Sequence, residues 1–267
     1  MSAYNGTMES GWREYFEFGG LPQILSLKTR QQKISYLSNL VGTVYVRDIV
    51  ERNRLKDSDG LTELLRLLSS SIGSPCNPSR ISNTFESTAR KHVPSETISR
   101  HIHYLQESFM ISEALRYDVK GRKYIGTETK YYFSDMGLRN SILGFRQTEE
   151  NHLMENIIYN ELLFRGFNVD VGMVGLVVRN SKGKQERKRL EVDFVANQGS
   201  RRYYIQSAFR MDNDEKVRQE KKSMLHVPDS FRKIIVVRDD IAPYHDDDGF
   251  LRIGLFDFLL KPDSLDL

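Results

Sequence analysis

The sequence contains almost no cysteine: Cys76 is the single one among 267 residues. One thiol cannot build a disulfide framework or a cysteine-rich metal site within a chain. Because disulfides persist in oxidising compartments and are rare in reducing ones, we expect a cytoplasmic protein. Cys76 lies between two predicted helices, in the proline-flanked stretch 74–78, and we interpret it as incidental.

Long apolar runs and phosphate-binding glycine motifs are also absent. The best apolar stretch, residues 253–260, is short and carries Asp257, whereas a bilayer-spanning helix needs about 20 apolar residues. Residues 1–5 lack the apolar core of a signal peptide. No Gly-x-x-x-x-Gly-Lys-Ser/Thr occurs, so no P-loop can hold phosphates. The sequence therefore predicts no membrane partner and no ATP site in this chain.

The composition is that of an ordinary globular protein, with 39% hydrophobic and 28% charged residues. The formal net charge is +3. Such a mildly basic chain is compatible with nucleic acid as a partner but does not require it, because charge alone equally fits an ordinary basic cytosolic protein.

Residues 1–58 form the first predicted zone, a small helical segment. An aromatic cluster precedes a Gly-Gly-Leu-Pro break at 19–22, and apolar residues then recur at helical spacing between positions 34 and 46. The segment is too short to be expected to fold as a domain of its own. The aromatic cluster consists of Trp12, Tyr15, Phe16 and Phe18.

Residues 59–145 form the second predicted zone, which we interpret as a winged helix-turn-helix. A leucine-rich helix at 61–68 is followed by a helix that Pro78 can start and by another from Ser95 to Phe109. The pattern then changes to two strands at 114–118 and 130–134, which a basic turn joins into a hairpin. Three helices followed by a basic hairpin is the element order of this fold.

A winged helix places its third helix in the major groove and its hairpin on the phosphate backbone. The third helix offers five candidate DNA-binding residues, Ser95, Thr97, Ser99, Arg100 and His103, and the turn offers Lys120, Arg122 and Lys123. Arg90 and Lys91 add positive charge just before the helix. Two alternatives stay open, since winged helices also dock proteins and a basic turn can be merely solvated.

Residues 146–267 form the third predicted zone, an α/β sandwich with a mixed sheet. Its predicted helices lie at 149–166 and 212–225, and the segment 256–260 closes the chain. Its predicted strands lie at 169–179, 189–196, 202–209, 233–237 and 251–254. Together with the helical segment and the winged helix, these elements predict an α+β or α/β fold class.

Three polar residues of the third zone can meet at one edge of this sheet: Glu155 on the opening helix, Asp193 on one strand and Gln206 on the next. Glu155 and Asp193 are the candidate metal ligands, and magnesium is the metal that such oxygen ligands would take. A bound metal would polarise a phosphate and activate a water. Alternatively, Glu191 and Asp193 are solvent-facing acids of an edge strand.

The same residues resemble the catalytic pattern of the restriction-endonuclease-like superfamily: a helix glutamate, a strand aspartate, then Glu/Gln-x-Lys on the next strand. Glu155, Asp193 and Gln206 match, whereas Ala208 stands in place of the lysine. Because that lysine orients the attacking water and offsets charge on phosphorus, the resemblance implies a degenerate, inactive site. Four lysines are candidates to replace it, Lys188, Lys216, Lys221 and Lys222.

The acidic run from His245 to Asp248 also invites a metal interpretation. It precedes Gly249 in a loop between two predicted strands, so we expect a solvated acidic turn instead.

Five further motifs resemble a large family of uncharacterised prokaryotic AAA+ ATP-binding proteins, in which an ATPase module precedes a winged helix and a restriction-endonuclease-like domain. The motifs are residues 15–22, 47–49, 133–139, 155–162 and 191–194. The resemblance implies that residues 1–58 are the end of the ATPase lid. The chain would then be a fragment of a longer protein or a stand-alone remnant.

These observations together predict a nucleic-acid-binding and interaction module of an AAA+ family protein, with DNA as a partner and an inactive nuclease-like domain. One alternative is a magnesium-dependent DNA nuclease that uses Glu155 and Asp193 with a relocated lysine. The other is an assembly module that binds an ATPase module or forms a homo-oligomer through its aromatic N-terminal zone.

Overall fold

The computed structural model describes residues 6–55, 58–89, 92–126, 128–146, 149–179, 183–211 and 214–267. The chain forms two compact units. The helical unit consists of Met1–Glu113 and Thr129–Glu149, and the sheet unit consists of Ala114–Glu128 and Glu150–Leu267. The fold is mixed α/β with a mixed sheet, as the sequence predicts. In the described residues, no helix has both the length and the apolar character needed to cross a membrane.

The helical unit is built from α-helices, one π-helical turn and one strand pair. The helices are α1 (Met8–Phe18), α2 (Pro22–Ser26), α3 (Arg30–Asn39), α4 (Arg47–Arg52), α5 (Asp59–Ser70), α6 (Pro78–Ala89), α7 (Ser95–Glu107) and α8 (Met136–Ile142), with the π-helical turn at Leu40–Val46. Residues Ile98, Ile102 and Leu105 of α7 are buried, as their spacing predicts. Phe109 is an exception, because it lies beyond the end of α7 and is 81% exposed.

The junction of α1 and α8 is made by a glycine pair and an aspartate. Asp135 caps α8 by accepting a hydrogen bond from Leu138 N at 3.1 Å, and its other oxygen accepts one from Gly20 N at 2.7 Å. Gly19 has φ +78°, a conformation that glycine adopts without strain, and a Cβ at this position would overlap the Asp135 carboxylate. The sequence motifs at residues 15–22 and 133–139 therefore meet at the junction of α1 and α8.

Arg139 connects α8 to the rest of the helical unit from a fully buried position. Its Nε donates to Ser69 O at 2.8 Å, at the end of α5, and its Nη1 donates to Asn140 Oδ1 at 3.1 Å. Asn140 in turn donates to Phe16 O and Glu17 O of α1. Burial lowers the pKa of Arg139, and the nearby charge of Glu149 opposes that shift.

The predicted basic hairpin is wrong in its strand pairing. Strand β1 (Ile111–Ala114) pairs with β4 (Lys130–Phe133) in a two-stranded sheet, but the basic turn does not join these two strands. The chain instead enters the large sheet, where β2 (Arg116–Asp118) pairs with β3 (Lys123–Tyr124) and lies parallel to a longer strand, β5 (Asn168–Arg179). A local pattern of apolar residues identifies a strand but not its partner, because pairing depends on residues far away in sequence.

The sheet unit contains α9 (Glu150–Phe164), α10 (Asp214–Leu225) and α11 (Leu255–Leu260) around an eight-stranded sheet of order β3-β2-β5-β6-β7-β8-β10-β9. The remaining strands are β5 (Asn168–Arg179), β6 (Gln185–Gln198), β7 (Arg201–Ala208), β8 (Arg232–Val237), β9 (Tyr244–His245) and β10 (Leu251–Gly254). The predicted strands and helices of this zone are therefore confirmed, and 256–260 is helical. The predicted turn residues Ser181 and Lys182 lie outside the described residues.

Both faces of the large sheet are covered by helices. Tyr159 of α9 lies against Phe194 of β6, with ring centroids 6.1 Å apart. The next residue, Val195, belongs to a buried cluster that includes Met224 of α10. Because successive side chains of a strand point to opposite faces, α9 and α10 pack on opposite sides of β6.

Candidate functional site

Asp193 lies at an irregularity in β6. Asp170 of β5 faces Val195, but Gly172 faces Val192, so two β6 residues, Asp193 and Phe194, oppose one β5 residue. Such a bulge re-aims side chains. β6 is an inner strand between β5 and β7, and Asp193 is 8% exposed. The alternative of a solvent-facing acid on an edge strand is therefore wrong for Asp193, because inner strands of a sheet covered on both sides hide their side chains.

The structure joins Asp193 to Gln206, as the sequence predicts, and extends the group to α10. Asp193 Oδ2 accepts a hydrogen bond from Ser207 N at 2.8 Å, and Asp193 N donates to Gln206 Oε1 at 3.4 Å. The side chain of Gln206 also hydrogen-bonds to Glu220 of α10. The polar group is therefore Asp193, Gln206 and Glu220.

Glu220 is the member that the sequence did not single out. Burial raises its pKa, whereas its hydrogen bond with Gln206 and the charge of Lys216 oppose the shift. Helix α10 carries charged residues in every turn, so no local signal distinguishes Glu220 from its neighbours. Only the packing of α10 on the sheet shows which of its acids faces the strand residues.

The candidate replacement lysines occupy different places. Lys216 lies on the turn of α10 before Glu220 and interacts with its charge. Lys188 is five residues before Asp193 on β6, roughly 16 Å away at about 3.3 Å per residue. Lys221 forms ion pairs with two aspartates elsewhere, and Lys222 is exposed. Lys216 is therefore the candidate that the geometry favours.

Glu155 and Ala208 occupy the two remaining positions of the predicted pattern, and both are buried. Glu155 is 8% exposed on α9, and the His152 Nδ1 lies 3.8 Å from its Oε2. Ala208 is 1% exposed and belongs to the buried cluster beneath α10. In the described part of the chain, no three His, Cys, Asp or Glu side chains come together in a group that could hold a metal.

Magnesium is the metal predicted for Glu155 and Asp193. The ion requires near-octahedral coordination, usually with carboxylates and retained waters. Asp193 already accepts a backbone hydrogen bond and Gln206 already bonds to two neighbours. The assignment of Glu155 and Asp193 as ligands stays a prediction.

The acidic run contains a structural ion-pair cluster rather than the solvated turn that we expected. The Asp246 side chain is 7% exposed and lies 2.7 Å from Lys221 Nζ and 3.0 Å from Arg252 Nε. Asp248 also pairs with Lys221 at 2.6 Å. Burial alone would raise the pKa of Asp246, but hydrogen bonds from Lys221, Phe250 N and Arg252 outweigh it and hold the pKa below its usual value. The local pattern does not reveal this cluster, because Lys221 lies far from Asp246 in the sequence.

Helix α7 exposes only part of its predicted DNA-reading face. Ser99, Arg100 and His103 are exposed, whereas Ser95 and Thr97 are half-buried. Arg100 donates to Thr97 Oγ1 at 3.3 Å, and His103 Nε2 lies 3.5 Å from Glu107. The predicted contributors Arg90 and Lys91 lie outside the described residues.

A groove of about 400 Å³ runs along one side of α7. Its lining includes Thr97, Arg100, His101 and Tyr104 of α7, and residues 53–55 after α4. Thr97 and Arg100 thus border a groove within the helical unit rather than standing on a convex helix surface.

The basic turn between β2 and β3 belongs to the sheet unit. Asp118 Oδ1 shapes the turn by accepting hydrogen bonds from Lys120 N and Gly121 N at 3.1 and 3.0 Å. Lys120, Arg122 and Lys123 are exposed, and Lys120 Nζ donates to Gly175 O at 3.0 Å. The predicted helix and turn of the DNA-binding surface therefore lie in different compact units.

Comparison with known proteins finds relatives without an established function. Residues 9–149 match a family model described as "Domain of unknown function (DUF8612)". An uncharacterised protein of Haemophilus influenzae is 31% identical over 253 residues, covering 94% of this chain and 58% of that protein. An uncharacterised protein of Methanocaldococcus jannaschii is 25% identical over 244 residues, covering 91% of this chain and 51% of the relative. The chain thus spans little more than half the length of these relatives.

A solved structure, protein VC1899 from Vibrio cholerae, is similar to this chain at a TM-score of 0.30 and 12% sequence identity. The alignment covers 90% of this chain and 56% of that protein. A likeness at this level carries no argument about function.

Proposed function

The chain belongs to the family described as Domain of unknown function (DUF8612), and from its surfaces we propose that it is a nucleic-acid-binding and interaction module whose nuclease-like domain binds rather than cuts. DNA is the proposed partner. Within the same proposal, the helical unit includes a winged-helix-like element, the sheet unit derives from a restriction-endonuclease-like scaffold, and the chain acts with an AAA+ ATPase module.

One observation carries this proposal: the exposed cationic turn of the sheet unit. Lys120, Arg122 and Lys123 stand within four residues, and none of them forms an ion pair with any residue that the structure describes. Exposed lysine and arginine side chains contact phosphates and release counterions, which supplies most of the affinity for nucleic acid without sequence preference. The turn therefore suits phosphate contact.

The state of the polar group supports binding over cutting. The position expected for the catalytic lysine is a buried alanine, and the Asp193 carboxylate is engaged by Ser207 N. A site without a cation to offset charge on the phosphorus loses the electrostatic stabilisation that phosphate hydrolysis needs. The basic turn, by contrast, presents three exposed cationic side chains that suit phosphate contact.

A titration of labelled duplex DNA with the full chain tests the proposal. We expect fluorescence anisotropy to show binding that weakens as salt is raised from about 50 to 200 mM, because phosphate contacts are salt-dependent. Changing Lys120, Arg122 and Lys123 together to glutamine removes up to three phosphate contacts, which lowers the slope of log affinity against log salt by up to about 2.7.

A second triple variant controls for the loss of net charge. Arg13, Arg47 and Arg52 are exposed bases of the helical unit, each in an i,i+4 ion pair with a neighbouring acid. Changing these three to glutamine removes the same formal charge but should leave the salt slope unchanged. Equal effects of the two triple variants, or no salt-sensitive binding by the wild-type chain, would refute the proposal.

The alternative of a nuclease with a relocated lysine has one specific observation in its favour, the position of Lys216 beside Glu220 and Gln206. Incubation of the chain with plasmid DNA and Mg²⁺ or Mn²⁺ tests it. Cleavage that Asp193→Ala and Lys216→Ala both abolish would establish the nuclease, and intact plasmid would support the binding proposal.

The assembly alternative rests on the aromatic cluster of α1. Trp12 and Phe18 of the aromatic cluster are 4% and 3% exposed, and the Trp12 ring lies 5.2 Å from the Phe16 ring. Trp12 and Phe18 therefore pack within the helical unit, whereas Tyr15 and Phe16 are half-buried and remain the feature that motivates this alternative.

A further inference from the structure

Strands β5 and β6 continue beyond their neighbours as a two-stranded ribbon. Among the described residues, β2 accompanies β5 as far as Met173, and β7 accompanies β6 as far as Phe194. The ladder between β5 and β6 then runs on from Gly175 opposite Arg189 to Arg179 opposite Gln185. We call residues 175–179 and 185–189 the β-arm. At about 3.3 Å per residue it is roughly 16 Å long.

One face of the β-arm is cationic. Partners across a ladder share a face and successive residues alternate between faces, so Arg179, Arg187 and Arg189 stand on the same side. This arginine face also carries Gly175, Val177 and Gln185, and all six residues are exposed. No acidic residue is among them. The opposite face is mixed, with Glu186 beside Lys188 and two half-buried apolar residues, Leu176 and Val178.

The three arginines have no counter-charge within the described chain. None of their side chains forms an ion pair or hydrogen bond with a residue that the structure describes. Arg187 and Arg189 are two residues apart on the same face, so they are separated by roughly 7 Å. Like charges held this close without protein partners favour an external anion that repeats along a line.

We propose that the arginine face of the β-arm binds duplex DNA by lying in its major groove. The inference rests on the proposed nucleic-acid-binding function and adds to it a second surface besides the basic turn. The major groove, about 12 Å wide and 8.5 Å deep, admits a two-stranded ribbon, and β-ribbon proteins bind DNA in this way. Each arginine can donate paired hydrogen bonds to a phosphate or to the O6 and N7 of guanine.

Two other partners fit the arm less well. Proteins that bind single strands stack the bases on aromatic side chains, and residues 175–191 contain no Phe, Tyr or Trp. Surfaces that enter a membrane interface carry large apolar side chains such as Trp, Phe and Leu, whereas Val177 is the one branched apolar residue of the arginine face. The charge and the ribbon shape of the β-arm therefore favour duplex DNA over single-stranded nucleic acid and membrane surfaces.

The test compares the full wild-type chain with the triple variant Arg179→Gln, Arg187→Gln, Arg189→Gln in titrations of a labelled duplex of about 20 base pairs. We expect the triple variant to bind at least about tenfold more weakly near 100 mM salt, since three phosphate contacts account for up to about 2.7 units of salt slope. Methyl green, a major-groove ligand, should displace the wild-type chain, and netropsin, a minor-groove ligand, should not.

Lys188→Gln provides a matched control, because Lys188 lies between two of the arginines but on the opposite face. We expect this variant to change the affinity less than twofold, while Arg187→Gln alone weakens it severalfold. Thermal unfolding followed by circular dichroism should be the same for all variants, since these side chains are exposed. If the triple variant unfolds at a lower temperature, the affinities of the single variants Arg187→Gln and Lys188→Gln are compared instead.

The outcomes separate this inference from the proposed function. If the wild-type chain binds duplex DNA and the triple variant binds equally well, the β-arm is not the interface although the nucleic-acid function stands. If the wild-type chain binds no duplex, both fail. Tighter arginine-dependent binding to phosphatidylserine vesicles than to the duplex would assign the arm to membranes and overturn the inference.

Discussion

Replacing Gly137 by alanine is expected to destabilise the helical unit. Gly137 lies in α8 directly against the end of α1. A Cβ at this position would stand 2.5 Å from the carbonyl carbon of Phe18 and closer still to its oxygen. Carbon atoms prefer separations of about 3.5–4.0 Å, so the two helices would have to part by about 1 Å.

The magnitude follows from two opposing terms. Alanine in place of glycine favours an exposed helix interior by about 1 kcal/mol. Forced overpacking costs about 1–3 kcal/mol and more when the obstacle is backbone, and here the contacts are backbone atoms that cannot change rotamer. Separating α1 from α8 would also strain the bond from Gly20 N to Asp135. We therefore expect a net loss of about 2 kcal/mol.

Gly42→Ala is the matched control for this prediction. Gly42 is exposed in the π-helical turn at Leu40–Val46, and a Cβ there would meet nothing within 4 Å. Its helix propensity gain is unopposed, so we expect stabilisation by about 0.5–1 kcal/mol. The same chemical change should thus act in opposite directions at two helical glycines of one unit.

Urea unfolding followed by tryptophan fluorescence measures both effects. Trp12 is the single tryptophan of the chain, it is 4% exposed, and it lies on α1, so its emission reports on the α1–α8 junction. A lower midpoint for Gly137→Ala and a higher one for Gly42→Ala are expected. A midpoint for Gly137→Ala equal to or above that of the wild type would show that the close approach of α8 to Phe18 is wrong.

Two predictions concern pH. The lowered pKa of Asp246 contributes stability that is present above the carboxyl's usual pKa and is lost as pH falls through the lowered value. Asp246→Asn should therefore lower the urea midpoint near pH 7 by the equivalent of about 2 kcal/mol. The difference in midpoint between the variant and the wild type should close below about pH 4. The raised pKa of Glu220 acts the other way, because its ionised form is disfavoured in the folded state; Glu220→Gln should raise the midpoint near pH 8 and leave it unchanged near pH 4. Far-ultraviolet circular dichroism in urea checks both, and pH-independent differences would contradict them.

Local patterns in the sequence predict most elements of the sheet unit. Strand β10 begins and ends where expected, and α10 ends at the expected residue, Leu225. The periods of apolar residues in strands and helices are properties of consecutive side chains, so they are visible without the partner elements. The closing segment 255–260 shows the limit, since a short apolar run fits a helix and a strand equally well.

The candidate site was predictable only in part. Asp193 and Gln206 lie beside each other because β6 and β7 form a hairpin, whose register brings the two positions together. Glu220 lies on α10, the helix that connects the parallel strands β7 and β8, and nothing in its local sequence marks it. For the same reason the ion pair between Lys221 and Asp246 was not predictable, because it joins α10 to a loop 25 residues later in the sequence.

By itself the sequence determined which chemistry is missing. A single cysteine, the absence of a P-loop and an alanine at position 208, where the nuclease resemblance calls for lysine, are facts of residue identity that no fold can alter. Tertiary structure decided which of the remaining charges act together. The basic turn belongs to the large sheet rather than to the β1–β4 strand pair, and the register of β5 against β6 places Arg179 on one face with Arg187 and Arg189. Pairing between distant strands sets both, because backbone hydrogen bonds join residues according to the whole fold and not to their neighbours in sequence.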